Sequence, residues 1–450
     1  MNGLESQIAQ WRGYLSRRQA IHSVDVAELE DHLREQIEAL TRAGLAPDEA
    51  FLVAVKRMGD LDAVSREFAR EHSERLWKQL VVAPINGDEP DTAAFTDAAI
   101  AFALAALAAV LVKLPAFLGY AIDGHQHWYA RNASLFVLPV LTGYFAWKRE
   151  LRTSTIGWLA AAFVAAAIIA NAYPFVQGGS TEGLAAIHMP IALWLPVGIA
   201  YAGGRWNETG RRMDFIRFSG ELFIYFVLIA LGGALLSSFM FMIFSAIGLD
   251  PEPFFESWLL PCGAAGAVIV AAWLVEAKQS VIENMAPVLT RLFTPMFAAV
   301  LVAWLVALVF TGRGIAVGRE ALIIFDLLLV VVLALLLYSL SARDPHAPPG
   351  TFDVVQVVLV VSALLANGFA LSAIGARITE LGFTPNRTAA LGMNVILIAN
   401  LAWSAVLYVR FLRGRGPFAA LERWQTRYLT VYAVWAAIVV VVFPLLFRFI

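Results

Sequence analysis

Cysteine is nearly absent. Cys262 is the only one in 450 residues, so no intrachain disulfide can staple the fold, and its apolar surroundings read as simple packing. Charge is scarce too. Asp, Glu, Lys and Arg make up 15% of the chain and hydrophobic residues 60%, against about 25% charged in ordinary soluble domains. That balance excludes a disordered chain, a nucleic-acid-binding module and a typical water-soluble enzyme. The opening residues lack the basic region and apolar core of a secretory leader, because Glu5, Arg12, Arg17 and Arg18 interrupt them; the first segment is therefore expected to stay cytoplasmic. Chemical signatures are missing as well. There is no phosphate-binding Gly-x-x-x-x-Gly-Lys-Ser/Thr, no His-Glu-x-x-His and no serine nucleophile elbow. The seven histidines never reach a metal-ligand spacing; His125 and His127 merely flank one Gln. No catalytic, cofactor or metal site is expected, no cofactor is implied, and the chain does not read as an enzyme.

What is present divides sharply. Residues 1–96 carry 11 Lys/Arg and 17 Asp/Glu, whereas residues 97–450 carry 22 and 18 over nearly four times the length. The first stretch reads as a soluble helical domain over 1–82, joined by a linker over 83–96 of turn composition (Ala83-Pro84-Ile85-Asn86-Gly87-Asp88-Glu89-Pro90). Its net charge of −6 argues against binding anionic lipid or nucleic acid directly. Four short helices are expected. One runs from Leu4 to Arg18. A second follows the N-cap Ser23 and stops at Gly44, with Leu29, Leu33, Ile37 and Leu40 on one face. A third opens on Pro47 and ends at Gly59. A fourth is capped by Asp60.

Within this stretch, Leu29-Glu30-Asp31-His32-Leu33, then Gly44-Leu45-Ala46-Pro47-Asp48-Glu49-Ala50, then Met58-Gly59-Asp60 resemble the permease prefix domain, a small helical unit ahead of bacterial membrane permeases. They are also similar to the related helical signalling domain of membrane proteins paired with PadR-type transcription regulators. The resemblance implies a regulatory or docking unit. Composition alone implies only a solvated helical cap.

A helix needs about 20 mostly apolar residues to cross a bilayer. Charge-free runs of about that length, two of them extended past one ionisable residue, fall at 98–120, 132–147, 153–181, 183–204, 222–249, 257–275, 292–312, 321–342, 354–376, 388–409 and 428–447. They show no period-two alternation, so a β-barrel is not favoured. The expected fold over 97–450 is therefore an all-α polytopic transmembrane bundle of about eleven spans, in contact with a lipid bilayer. With the N-terminus inside, alternating loops hold 15 Lys/Arg inside and 6 outside. Short-loop basic excess marks the cytoplasmic side. This implies a multi-pass protein of the bacterial inner membrane with its N-terminus cytoplasmic and its C-terminus external.

Before the tenth run lies Arg377-Ile378-Thr379-Glu380-Leu381-Gly382-Phe383-Thr384-Pro385-Asn386-Arg387. It is similar to the Gly-Leu-Thr-x-Asn-Arg signature of a bacterial polytopic membrane family of unassigned function, domain-of-unknown-function family four-one-five-three. It departs from that pattern at Leu381 and Phe383. The resemblance makes Arg377, Gly382, Thr384, Asn386 and Arg387 a candidate motif loop. Physically, Gly382 permits a turn, and Thr384 followed by Pro385 starts a helix well.

Ionisable groups at bilayer depth are functional candidates. Lys113 in the first span and Asp326 in the eighth sit at similar depth with opposite charge, so they are candidates for an intramembrane ion pair; the alternative is that Lys113 snorkels outward and Asp326 caps a helix near water. Asn171, His188, Asn367, Asn394 and Asn400 are candidates for interhelical hydrogen bonds. Two functions remain open. One is a membrane sensor or regulator whose prefix relays to a cytoplasmic partner such as a PadR-type regulator. The other is a transporter or permease for an unidentified substrate.

Overall fold

Two units divide the chain, Met1–Pro90 and Asp91–Ile450. The computed structural model describes residues 8, 23–42, 45–46, 50–51 and 53–54 of the first, and 92–246, 250–277, 285–311, 319–345 and 347–450 of the second. All regular structure among the described residues is helical.

In the first unit, α1 spans Ser23–Arg42. Leu33, Ile37 and Leu40 lie on one face and are buried with Ile8, Ala50 and Ala54, as a four-then-three step requires. Glu35 and Glu38 on the opposite face are exposed. An ion pair one turn apart, Arg34 to Glu30 at 2.9 Å, adds local support. The helices expected over 4–18, from Pro47 and from Asp60 lie largely or wholly outside the described residues.

The second unit contains eleven long helices among the described residues, one for each charge-free run. They are α2 (Thr92–Phe117), α3 (Gln126–Lys148), α4 (Thr153–Ala172), α5 (Ser180–Tyr201), α6 (Thr209–Ala246), α7 (Glu252–Ala277), α8 (Met285–Thr311), α9 (Arg319–Ala342), α10 (Thr351–Leu381), α11 (Pro385–Leu412) and α12 (Ala419–Leu446). Nine of these are long and apolar enough to cross a membrane. The exceptions have a physical cause. α3 carries His127, Arg131, Asn132 and Lys148, which lower its hydropathy. In α9 the qualifying apolar stretch is only Asp326–Ala342. Several helices also outlast their charge-free runs, because charged residues occupy their end turns, whereas α4 stops nine residues short of its run. α10 keeps Asp353, Arg377 and Glu380 inside the helix. α6 begins thirteen residues before its run, through Arg211, Arg212, Asp214 and Arg217. At about 1.5 Å per residue its length approaches twice the bilayer core of roughly 30 Å.

These helices pack around two cores. Leu141, Phe145, Met189, Val197, Phe218 and Ile269 belong to the first, drawn mainly from α2–α7. Leu301, Leu336, Leu359, Leu397, Tyr408 and Leu421 belong to the second, from α8–α12. The last helix joins them: Val440 lies in the first core and Tyr432 in the second. Outward-facing residues remain apolar, with Phe223, Leu231, Leu235 and Leu236 of α6 all more than half exposed, as lipid contact demands. Lipid removes most of the hydrophobic drive between helices, so close fit must supply the attraction. Gly392 shows that fit. A Cβ there would lie 2.1 Å from the Trp435 ring.

Candidate functional site

The first bundle keeps most of its charges near helix ends, with Glu221, buried about three turns inside α6, as an exception. At one rim, Arg149 donates from Nη2 to both oxygens of Glu276 at 2.9 Å, and Lys148 approaches the same carboxylate at 3.5 Å. The Glu276 side chain is only 2% exposed. At the opposite rim Glu182, likewise buried, accepts from Arg131 at 2.5 Å and from the Gly178 N–H at 2.9 Å. His127 lies 3.6 Å from Glu182. His125 instead meets the Ala121 carbonyl, so the two histidines serve different partners. Each buried carboxylate thus faces basic groups, the condition under which a buried charge is tolerated.

The expected pairing of Lys113 with Asp326 is not made. Lys113 donates to the Ser257 carbonyl at 2.6 Å and lies 4.2 Å from the centre of the Trp258 ring. The reason is local. Pro261 has no N–H, so the carbonyl four residues earlier, that of Ser257, loses its helical donor. The helix widens into a π turn over Phe255–Leu259, and the lysine fills the vacancy. Pro261 was the signal in the sequence for this partner. Asp326 belongs to the other bundle and accepts from Asn394 Nδ2 at 3.0 Å.

The second bundle places uncharged amides in its interior. Asn400 donates to Gln425 Oε1 at 3.1 Å and to the Tyr432 hydroxyl at 2.8 Å, and its Oδ1 accepts from Trp424 at 2.7 Å. Gln425 donates to Ser404 at 2.5 Å. This network of α11 and α12 is closed: no buried side-chain polar atom of Asn400, Ser404 or Gln425 lacks a partner. A second set is open. On α10, Gln356 donates to Ser339 at 2.5 Å while its Oε1 has no partner. Eleven residues on, Asn367 donates to the Asn394 carbonyl at 3.2 Å, and its Oδ1 is also unpartnered. Asn394 Oδ1 is the third such acceptor. All three side chains are essentially fully buried. Eleven residues make three helical turns within about 20°, so Gln356 and Asn367 share one face of α10, about 16 Å apart. Buried carbonyl oxygens without donors are costly, and Asp326 stands beside one of these three, Asn394.

The motif residues form a helix joint. Gly382 ends α10 at φ +75°, a conformation that favours glycine. Thr384 caps α11 by accepting from the Arg387 N–H at 3.4 Å. Arg387 donates to the last carbonyls of α10, Leu381 at 3.0 Å and Gly382 at 2.9 Å. Asn386 reaches Ser180 at the start of α5, at 3.2 Å. Arg377 lies one turn inside the end of α10. The geometry of Gly382, Thr384, Asn386 and Arg387 is that of a fastening between helices. Glu182, Glu276 and Gln356 were not singled out from the sequence. Glu182 and Glu276 sit in terminal turns, where a carboxylate ordinarily meets water.

Among the described residues no group of three His, Cys, Asp or Glu side chains is placed to hold a metal ion. Compared with known proteins, the chain matches no family model, no curated sequence and no solved structure.

Proposed function

We propose that this is a permease of the bacterial inner membrane, with residues 1–82 as a cytoplasmic regulatory prefix. The observation that supports it is the open face of α10. Gln356 and Asn367 hold unpartnered carbonyl oxygens on one side of a membrane-length helix, with Asn394 beside the second and Asp326 bonded in turn to Asn394. A purely structural interior would close such groups, as the Asn400 network does. Polar atoms left free along a buried helix face suit a solute that sheds its water as it passes. The basic-loop excess supports a cytoplasmic N-terminus and an external C-terminus. The prefix resemblance fits a permease equally well.

The test is flux. Purified full-length protein in liposomes is screened for osmotic swelling in a panel of small salts and neutral solutes. At least one solute is expected to enter faster than into protein-free liposomes, and Gln356→Leu is expected to abolish that gain. The sensor reading rests on the prefix, with its similarity to PadR-associated domains and its own small helical core. It wins if no solute moves while the full chain, but not a chain lacking 1–82, captures a DNA-binding regulator.

A further inference from the structure

We infer that Asp326, Asn394 and Asn367 form a binding site for a monovalent alkali cation within the second bundle. This deepens the permease reading and rests on it for its role, though not for its geometry.

Two hydrogen bonds link Asp326, Asn394 and Asn367 in a chain, and the two amide oxygens along it lack donors. Both Nδ2 protons of Asn394 are spent, one on Asp326 Oδ1 at 3.0 Å and one on the Ala390 carbonyl at 2.8 Å. Those two acceptors fix the amide orientation and leave Oδ1 as the bare end. Oxygen and nitrogen of one carboxamide are about 2.2 Å apart, so this Oδ1 lies within about 5 Å of the Asp326 carboxylate. Asn367 is anchored to the same residue through the Asn394 carbonyl, and its Oδ1 is equally bare. Both asparagines are 0% exposed. Asp326 is only half-buried. No basic group among the described residues pairs with Asp326.

Charge and donor type select the ligand. A carboxylate at membrane depth needs a positive partner. One carboxylate and two amide oxygens are hard donors, which excludes a soft transition metal. A divalent ion would leave an uncompensated positive charge in a low dielectric. A proton would neutralise Asp326, and its single O–H could satisfy at most one amide oxygen, leaving the other bare. An alkali cation neutralises the carboxylate and satisfies the amides together, in the way that backbone carbonyls serve ions elsewhere in membranes.

The experiment measures thermal stability of the purified full-length protein in detergent, in NaCl, KCl or choline chloride at equal ionic strength. A saturable rise of about 2 °C in Na+ or K+ over choline is expected. Asp326→Asn, nearly isosteric, should abolish the rise while eluting as a single peak in gel filtration. Asn367→Leu should weaken alkali binding at least tenfold. Should Asp326→Asn fail to fold, the wild-type salt comparison and direct 22Na+ binding decide alone. Equal melting in all three salts, or a rise that persists in Asp326→Asn, overturns the proposal. So does stabilisation by lowered pH with no alkali effect, which would mark a proton site. Alkali stabilisation without flux keeps the site and removes the permease reading. Flux in choline medium without alkali stabilisation does the reverse.

Discussion

The two bundles of the membrane unit solve one problem in opposite ways. α2–α7 confine most of their charge to helix ends, where Glu182 and Glu276 meet Arg131, Arg149 and Lys148, and their middle is aliphatic and aromatic. α8–α12 carry amides deep in the bundle, at Gln356, Asn367, Asn394 and Asn400. Rim charges can fasten a scaffold without asking lipid to hold a polar group. Interior amides are tolerated only when they are partnered or have a use. On the proposed reading, the first bundle anchors and the second meets the ligand.

Breaking a rim should cost most. Glu276→Gln strips the carboxylate charge from Arg149 and leaves Lys148 only Asp97 at 3.7 Å; because both cations are partly exposed, the cost falls at the low end of the about 3–5 kcal/mol for a broken buried pair. A large fall in melting temperature, equal in Na+ and choline, is the expected result; a salt-specific loss would erase the division of labour between the bundles. Next comes fit. Gly392→Ala places a methyl 2.1 Å from Trp435 and should cost about 2–3 kcal/mol, the upper range for overpacking, read as lowered melting and partial recovery with Trp435→Leu. Asn400→Leu follows. A single interhelical hydrogen bond averages about 0.6 kcal/mol, but Asn400 serves Gln425, Tyr432 and Trp424, so a loss near 2 kcal/mol is expected without change in cation response. Smallest is Lys113→Met, which removes a carbonyl contact and a ring contact worth about 1 kcal/mol. Because Lys113 and Asp326 have separate partners, the double variant Lys113→Met with Asp326→Asn should be additive in melting shifts. Compensation would restore the pairing expected from sequence.

Much of this architecture could be read from charge-free runs, since each corresponds to one helix. Boundaries were less legible. A charge-based trim stops where lipid stops, whereas α6 and α10 continue through charged turns. Inside the helices, residue type announced that Asn367, Asn394 and Asn400 would seek partners, yet not which. Asn400 closes on Trp424 and Gln425, while Asn394 stays half-open beside Asp326. That distinction depends on helix rotation, which an almost uniformly apolar surface does not encode. Matched depth does not bring Lys113 to Asp326, because Pro261 releases the Ser257 carbonyl and the lysine is held there. The joint at Gly382–Arg387 was foreseeable as turn chemistry, though the reach of Asn386 to Ser180 was not.

The central claim is that an odd number of crossings separates the acidic head from the joint between α10 and α11. Cys262 is the sole cysteine, so replacing it with Ala leaves a clean background. Single cysteines are then placed at Glu38 and at Phe383, both exposed, and intact cells are treated with a membrane-impermeant maleimide. The account predicts labelling at position 383 in intact cells and at position 38 only after lysis. Labelling of both in intact cells, or of neither, would contradict it.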